Sequence, residues 1–205
     1  ILRGFDQMGV CTRSPDGQPR PFSEERSGFL FSEGGACILV LEEREAAIAR
    51  GVRIYAEIVG YGENNDAHSI AQLAPDGAQV RGLVHRICGG KSIQLLNAHG
   101  TATLDNDRVE AELIAAIWPK NNTLPWVQAS KSLLGHTFGA SGAFEAAICA
   151  HGLHCRRWHG TPSGEPLPGV KLLKETRELQ VERALSLSLG FGGHNMALLF
   201  ERHAN

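Results

Sequence analysis

Residues Ser92–Ile117 read "SIQLLNAHGTATLDNDRVEAELIAAI". The stretch opens on a short apolar run, Ser92–Ala98, of strand length. It closes on Asp105–Ile117, where Val109, Leu113, Ile114 and Ile117 recur on one helical face. Between the two lie a histidine, a glycine and two threonines. A strand, a polar turn and a helix in that order is the building unit of an α/β fold. Asp107 and Glu110, three apart near the helix start, have the spacing of a capping box, which accounts for two carboxylates without chemistry.

The same alternation extends outward. Ala78–Gly90, "AQVRGLVHRICGG", has a helical pattern. Pro125–Lys131, "PWVQASK", reads as a strand, and Gly139–Leu153 as a helix whose small residues let another backbone come close. Two last strands, Ala184–Gly190 and His194–Arg202, are joined through the glycine-rich "GFGG" of Gly190–Gly193. Towards the start, Thr12–Gly28 is loop-like, rich in Pro, Gly and charge. "ACILVLEE" (Ala36–Glu43) then predicts a buried strand, Glu42–Gly51 a short helix and Val52–Gly62 a second strand, before a polar loop over Glu63–Gly77. The pattern predicts an α/β fold with a mostly parallel sheet, mixed because the last two strands pair, and flanked by the helices starting near Asp107 and after His136.

Composition excludes several function classes. The 205 residues suffice for one large domain or two small ones. Twenty Lys and Arg against 22 Asp and Glu leave a formal charge of −2, with no basic block for nucleic acid or an anionic membrane. No apolar run approaches the roughly 18 residues of a membrane span. The opening "ILRGFDQMGV" lacks the pattern of a signal peptide. Five cysteines without CxxC spacing suggest free thiols in a reducing cytoplasm.

In an α/β sheet, ligand chemistry gathers at the carboxyl ends of the strands. His99 follows one predicted strand, Lys131 ends a second with His136 just beyond, and Phe191 follows a third. A single histidine at a strand end is more often structural; two histidines with a lysine and two glycine-rich turns form a constellation. His136 is placed just before a helix N-terminus, whose positive end disfavours imidazolium. Two neutral imidazoles aimed at one oxygen would stabilise an enolate. Thr101 and Thr103 could present hydroxyls to an extended ligand, and "GFGG" lets backbone N–H groups approach it, with Phe191 as a movable wall. A second cluster, Cys149, His151, His154, Cys155 and His159, has zinc-ligand residue types. Its spacing suits a site poorly, because only His151 and Cys155 share a helix face, so no metal is expected.

With these residues in place, the chain resembles the β-ketoacyl synthases, thiolase-fold condensing enzymes of fatty-acid and polyketide synthesis. "RPFSEERSGFLFSEGGACILVLEE" (Arg20–Glu43), "ARGVRIYAEIVGYG" (Ala49–Gly62), "NAHGTATLDND" (Asn97–Asp107), "KSLLGHTFGASGAFEA" (Lys131–Ala146) and "LSLGFGGHN" (Leu187–Asn195) resemble family blocks in unbroken order from Ile1 to Arg202. The resemblance implies a thiolase-like layered α/β fold, with residues 1–62 the end of the first repeat and 63–205 the second. It implies that His99 and His136 are the catalytic histidines, that Lys131 supports them and that Glu145 belongs to their network. It places Thr101 and Thr103 in the phosphopantetheine tunnel, and Phe191 and Gly192 at the acyl gate, the Phe191 amide helping to form an oxyanion hole. It implies an acyl carrier protein as partner, a homodimer or ketosynthase heterodimer, and no dissociable cofactor. The family's nucleophilic cysteine sits in a turn upstream of these blocks, so a C-terminal half is expected, unable to condense by itself. The alternative is a non-catalytic partner resembling a chain-length factor. Ser27, Leu187 and Leu189 depart from the family's aspartate, asparagine and phenylalanine.

Overall fold

The computed structural model describes residues 2–119 and 124–204. Ile1 and Asn205, the outer bounds of the two expected repeats, lie outside the described residues. In chain order the elements are α1 (Leu2–Gln7), α2 (Arg44–Ala49), β1 (Glu57–Asn65), α3 (Ala78–Cys88), β2 (Leu95–Asn97), α4 (Leu104–Ile117), β3 (Trp126–Gln128), α5 (Lys131–Leu134), α6 (Ser141–Cys155), β4 (Arg157–Trp158), β5 (Arg177–Glu178), β6 (Arg183–Gly190) and β7 (His194–Glu201). Five strands make one sheet in the order β1-β7-β6-β2-β3, while β4 and β5 form a separate two-stranded ribbon. β3, β2 and β6 run parallel, whereas β7 is antiparallel to both β6 and β1. The sheet is mixed, as the adjacency of the last two strands predicted.

Strand alternation divides the core into two layers. Leu96, Leu185, Leu187, Leu189, Ala197 and Leu199 face the side covered by α3 and α4. Their neighbours Leu95, Ala184 and Phe200 face α6, meeting Ala146, Cys149 and Leu153. Successive side chains of a strand point to opposite faces, so one apolar run supplies both layers. Each fully buried leucine contributes about 1.5–3 kcal/mol. Gly152 on α6 lies under Trp158: a Cβ there would come within 2.6 Å of the indole. The small residue thus admits a side chain at this point rather than the backbone predicted.

Three other expectations of secondary structure need correction. Ala36–Glu43 forms no strand, with Ile38 91% and Val40 87% exposed. Among the described residues no strand pairs with it, and a strand requires a neighbour to complete its ladder. The predicted strand Val52–Gly62 is shifted to Glu57–Asn65, because β7 supplies partners only from Glu201, opposite Glu57, to His194, opposite Asn65. β1 therefore runs through position 62, and the expected repeat boundary falls inside a strand. Thr12–Gly28 carries no helix or strand, as expected; α1 lies ahead of it and buries no residue. Finally, α4 begins at Leu104 with Thr103 as N-cap, so Asp107 and Glu110 lie inside the helix and form no capping box.

All five cysteines are unpaired. His151 and Cys155 meet on one face of α6, Nε2 to Sγ 3.7 Å, while Cys149 is buried. Among the described residues no group of three or more His, Cys, Asp and Glu is placed to hold a metal, and no helix is long and apolar enough to cross a membrane.

Candidate active site

The turn after β2 carries His99 and is held from beneath by α4. Glu110 accepts the His99 N–H at 2.9 Å and the Gly100 N–H at 2.7 Å. Asp107 accepts the Ala102 N–H at 3.1 Å and the Phe22 N–H at 2.7 Å. Ala102 has a φ of 64°, a left-handed conformation that costs a non-glycine residue energy unless it is tied down. Gly100 has a φ of 46°, and a Cβ there would meet the Ala129 Cβ at 2.6 Å, so the turn requires glycine. Burial pushes the Asp107 carboxyl up to about 6. Burial and the Asp107 charge push Glu110 up to about 7, against N–H donors that favour its ionised form. The sequence reading missed this role. Its signal was two acids on the apolar stripe of a helix, where only partnered carboxylates persist.

Lys131 follows β3 and opens α5. Its Nζ donates to the His99 carbonyl at 2.7 Å, approaches His99 Nδ1 at 3.4 Å and pairs with Glu145 from α6. Ser188 on β6 donates to the other Glu145 oxygen at 3.2 Å, and the Ser130 hydroxyl lies 3.4 Å from the first. Lys131 and Glu145 are both buried. The ammonium therefore has a carboxylate and a carbonyl, the satisfaction a buried charge demands.

His136 comes from a different turn. Gly135 has a φ of 70°, and the His136 N–H donates to the Leu30 carbonyl at 2.7 Å. A 3₁₀ turn, Phe138–Ala140, separates it from α6. The Phe138 N–H donates to His136 Nδ1 at 3.1 Å, with the Ser141 hydroxyl also at 3.1 Å. The Phe138 ring stacks on the imidazole, centroids 4.2 Å apart. The rings of His99 and His136 meet edge to face at 5.8 Å. Burial first, then the Lys131 charge, hold both below the ordinary histidine value, His136 at about 3. Burial and lysine thus do what the sequence reading assigned to a helix terminus. Each Nδ1 faces an internal donor, so each neutral ring carries its proton on Nε2, free to donate.

Of the remaining predicted residues, Thr101 and Thr103 face each other, hydroxyls 2.9 Å apart. Phe191 is 52% exposed in the turn between β6 and β7 and stacks on Phe5 at 6.0 Å. The Gly192 N–H is taken by the Ile70 carbonyl at 2.9 Å and is not available to a ligand. The structure thus brings His99, Lys131, Glu145 and His136 together, with Phe191 joined to His136 through Phe5 and Phe138.

A five-stranded mixed sheet between helical layers, with one buried and one part-buried imidazole beyond its strand ends, is a thiolase-like fold of the condensing-enzyme class. The profile of the β-ketoacyl synthase C-terminal domain matches residues 55–165, more than half of the chain, and the chain belongs to that family. It is 38% identical over 212 residues to the 3-oxoacyl-[acyl-carrier-protein] synthase 2 of Staphylococcus aureus (strain COL), covering 98% of this chain and 51% of the relative. The ishigamide ketosynthase/chain length factor superposes with a TM-score of 0.91 at 31% identity, over 99% of this chain and 51% of that one. A type II polyketide synthase acyl carrier protein in complex with its ketosynthase, bound to the hexaketide, gives 0.91 at 26% identity, over 99% and 53%. The chain spans about half the length of the curated relatives it matches.

Proposed function

We propose that these residues carry the decarboxylating half of a β-ketoacyl synthase site. A cysteine thiolate outside these 205 residues holds the growing acyl chain as a thioester. Malonyl thioester binds with its carbonyl oxygen towards the Nε2–H groups of His99 and His136. The bond to the carboxylate breaks, carbon dioxide leaves, and its electron pair enters the enolate, whose oxygen accepts both hydrogen bonds. The enolate carbon attacks the acyl thioester, a carbon–carbon bond forms, and the thiolate leaves. Lys131, fixed by Glu145, positions His99. Thr101 and Thr103 bind the phosphopantetheine arm, and Phe191 gates the acyl chain with its amide as a further oxyanion donor. The carried substrates make an acyl carrier protein the partner, with no dissociable cofactor, in the cytoplasm and in a homodimer or ketosynthase heterodimer. The expected division at 62/63 would cut β1, so the proposed second repeat takes in the whole of β1, from Glu57.

The observation that carries this reading is the pair of neutral, edge-to-face imidazoles with both Nδ1 atoms occupied. The test is decarboxylation of malonyl carrier protein by the full-length protein. His99→Ala and His136→Ala should each slow it by about 10²–10³-fold. Unchanged rates in both variants discard the roles assigned. A non-catalytic partner of a ketosynthase would show no wild-type rate to lose.

A further inference from the structure

We infer that the acyl group taken at this site is flat and conjugated, a polyene or aryl thioester rather than a saturated chain. The inference rests on the condensation reading and adds a substrate class to it. Its basis is an aromatic wall that begins at the catalytic histidine. Phe138 stacks on His136 with the two planes 1° apart, and Phe29 meets the same imidazole edge-on at 5.2 Å. Phe31 packs on Phe138 at 4.6 Å, Phe5 on Phe138 at 4.9 Å, and Phe191 continues the row from Phe5.

Packing within these 205 residues does not bury the whole row. Only Phe29 is fully buried; Phe5, Phe31 and Phe138 keep part of their surface and Phe191 half of it. Strand geometry sets the aim of two members. The segment Phe29–Leu30–Phe31 alternates, so Phe29 turns to His136 and Phe31 to Phe138 while Leu30 is exposed. Phe138 holds a φ of 50°, and it does so where its N–H serves His136 and its ring covers it. Leucines would cover a saturated chain equally well by area. What phenylalanines add is a quadrupolar face that favours an offset or edge-on π partner, about two- to tenfold per contact beyond area burial. A conjugated chain also arrives with its torsions fixed, so it loses less freedom when immobilised than a saturated one.

The test gives full-length protein equal concentrations of octanoyl and octatrienoyl donors together with malonyl carrier protein. The expected product ratio favours the triene by about tenfold or more. Phe31→Leu and Phe138→Leu should each pull that ratio towards unity. Because both products form in one vessel, partial loss of folded protein cancels from the ratio. A wild-type ratio at or below unity overturns the specificity while leaving condensation standing. Extension of neither donor overturns both. A ratio unmoved by either leucine variant removes the wall as its cause.

Discussion

His99 and His136 lie 5.8 Å apart ring to ring, yet they are held by opposite means. The His99 turn is fastened by charge. Two buried carboxylates take its backbone N–H groups, and a buried ammonium takes its carbonyl and faces its Nδ1. The His136 turn is fastened by neutral groups: backbone bonds to Leu30 and Phe138, one serine hydroxyl and a stacked phenyl ring. Both arrangements leave an imidazole neutral with Nε2 free to donate. The first costs desolvation of four ionisable groups, Asp107, Glu110, Lys131 and Glu145, and depends on each keeping its partner. The second costs little and tolerates change better. Two members of one site can therefore respond very differently to the same kind of perturbation.

The largest difference should follow removal of Glu145. Glu145→Leu leaves the Lys131 ammonium buried without its carboxylate, a loss of about 3–5 kcal/mol. Urea unfolding of the full-length protein measures it, and the imidazole NMR signals show where it acts. The His99 signal should move and the His136 signal should stay. Equal movement of both would erase the distinction between the two turns.

Acid comes next. Both histidines are depressed in the folded protein, so as pH falls below about 6.5 the unfolded chain takes up protons that the folded one does not. Their contribution is complete above that value and is lost on the way down, towards about 3 for His136. Asp107 and Glu110 act with the opposite sign. They are raised from 3.8 to about 6 and from 4.5 to about 7, so their contribution is present at low pH and is lost as pH rises through those values. His136→Leu removes one proton from the first set. The stability slope between pH 6.5 and 3 should flatten by up to about 1.4 kcal/mol per pH unit. An unflattened slope in a series of urea midpoints would show that His136 is not held neutral.

The smallest effect belongs to the hydroxyl beside His136. Ser141→Ala removes one contact to Nδ1, which keeps the Phe138 N–H, so about 1 kcal/mol or less of stability should be lost. Malonyl decarboxylation should change by less than about threefold. A loss approaching that of His136→Ala would mean that the serine, and not the backbone, sets the tautomer.

How much of this was legible beforehand differs by residue. The two histidines and Lys131 could be read because each follows a predicted strand, and a parallel sheet sends such positions to one edge. Asp107 and Glu110 were legible as types but misread as a cap. Their partners, the N–H groups of Phe22, His99, Gly100 and Ala102, are invisible until the turn is folded. The aromatic wall could not be read either, since Phe5, Phe29, Phe31, Phe138 and Phe191 come from separated parts of the chain.

Two stretches mark the limit. Ala36–Glu43 and Ala184–Gly190 both read as apolar strands. Ala184–Gly190 lies in β6, flanked by β2 and β7 with Leu185 and Leu187 buried, whereas Ala36–Glu43, expected to end the first repeat, has no strand beside it among the described residues. By itself the sequence determined the strand–helix alternation, the mixed sheet and the chemistry-bearing side chains at strand ends, because periodicity and turn chemistry are local properties. Only the tertiary structure decided which apolar run became a strand, which acids hold backbone and which nitrogen of each imidazole is free. Those depend on partners distant in sequence, and a hydrogen bond exists only where both of its ends have been placed.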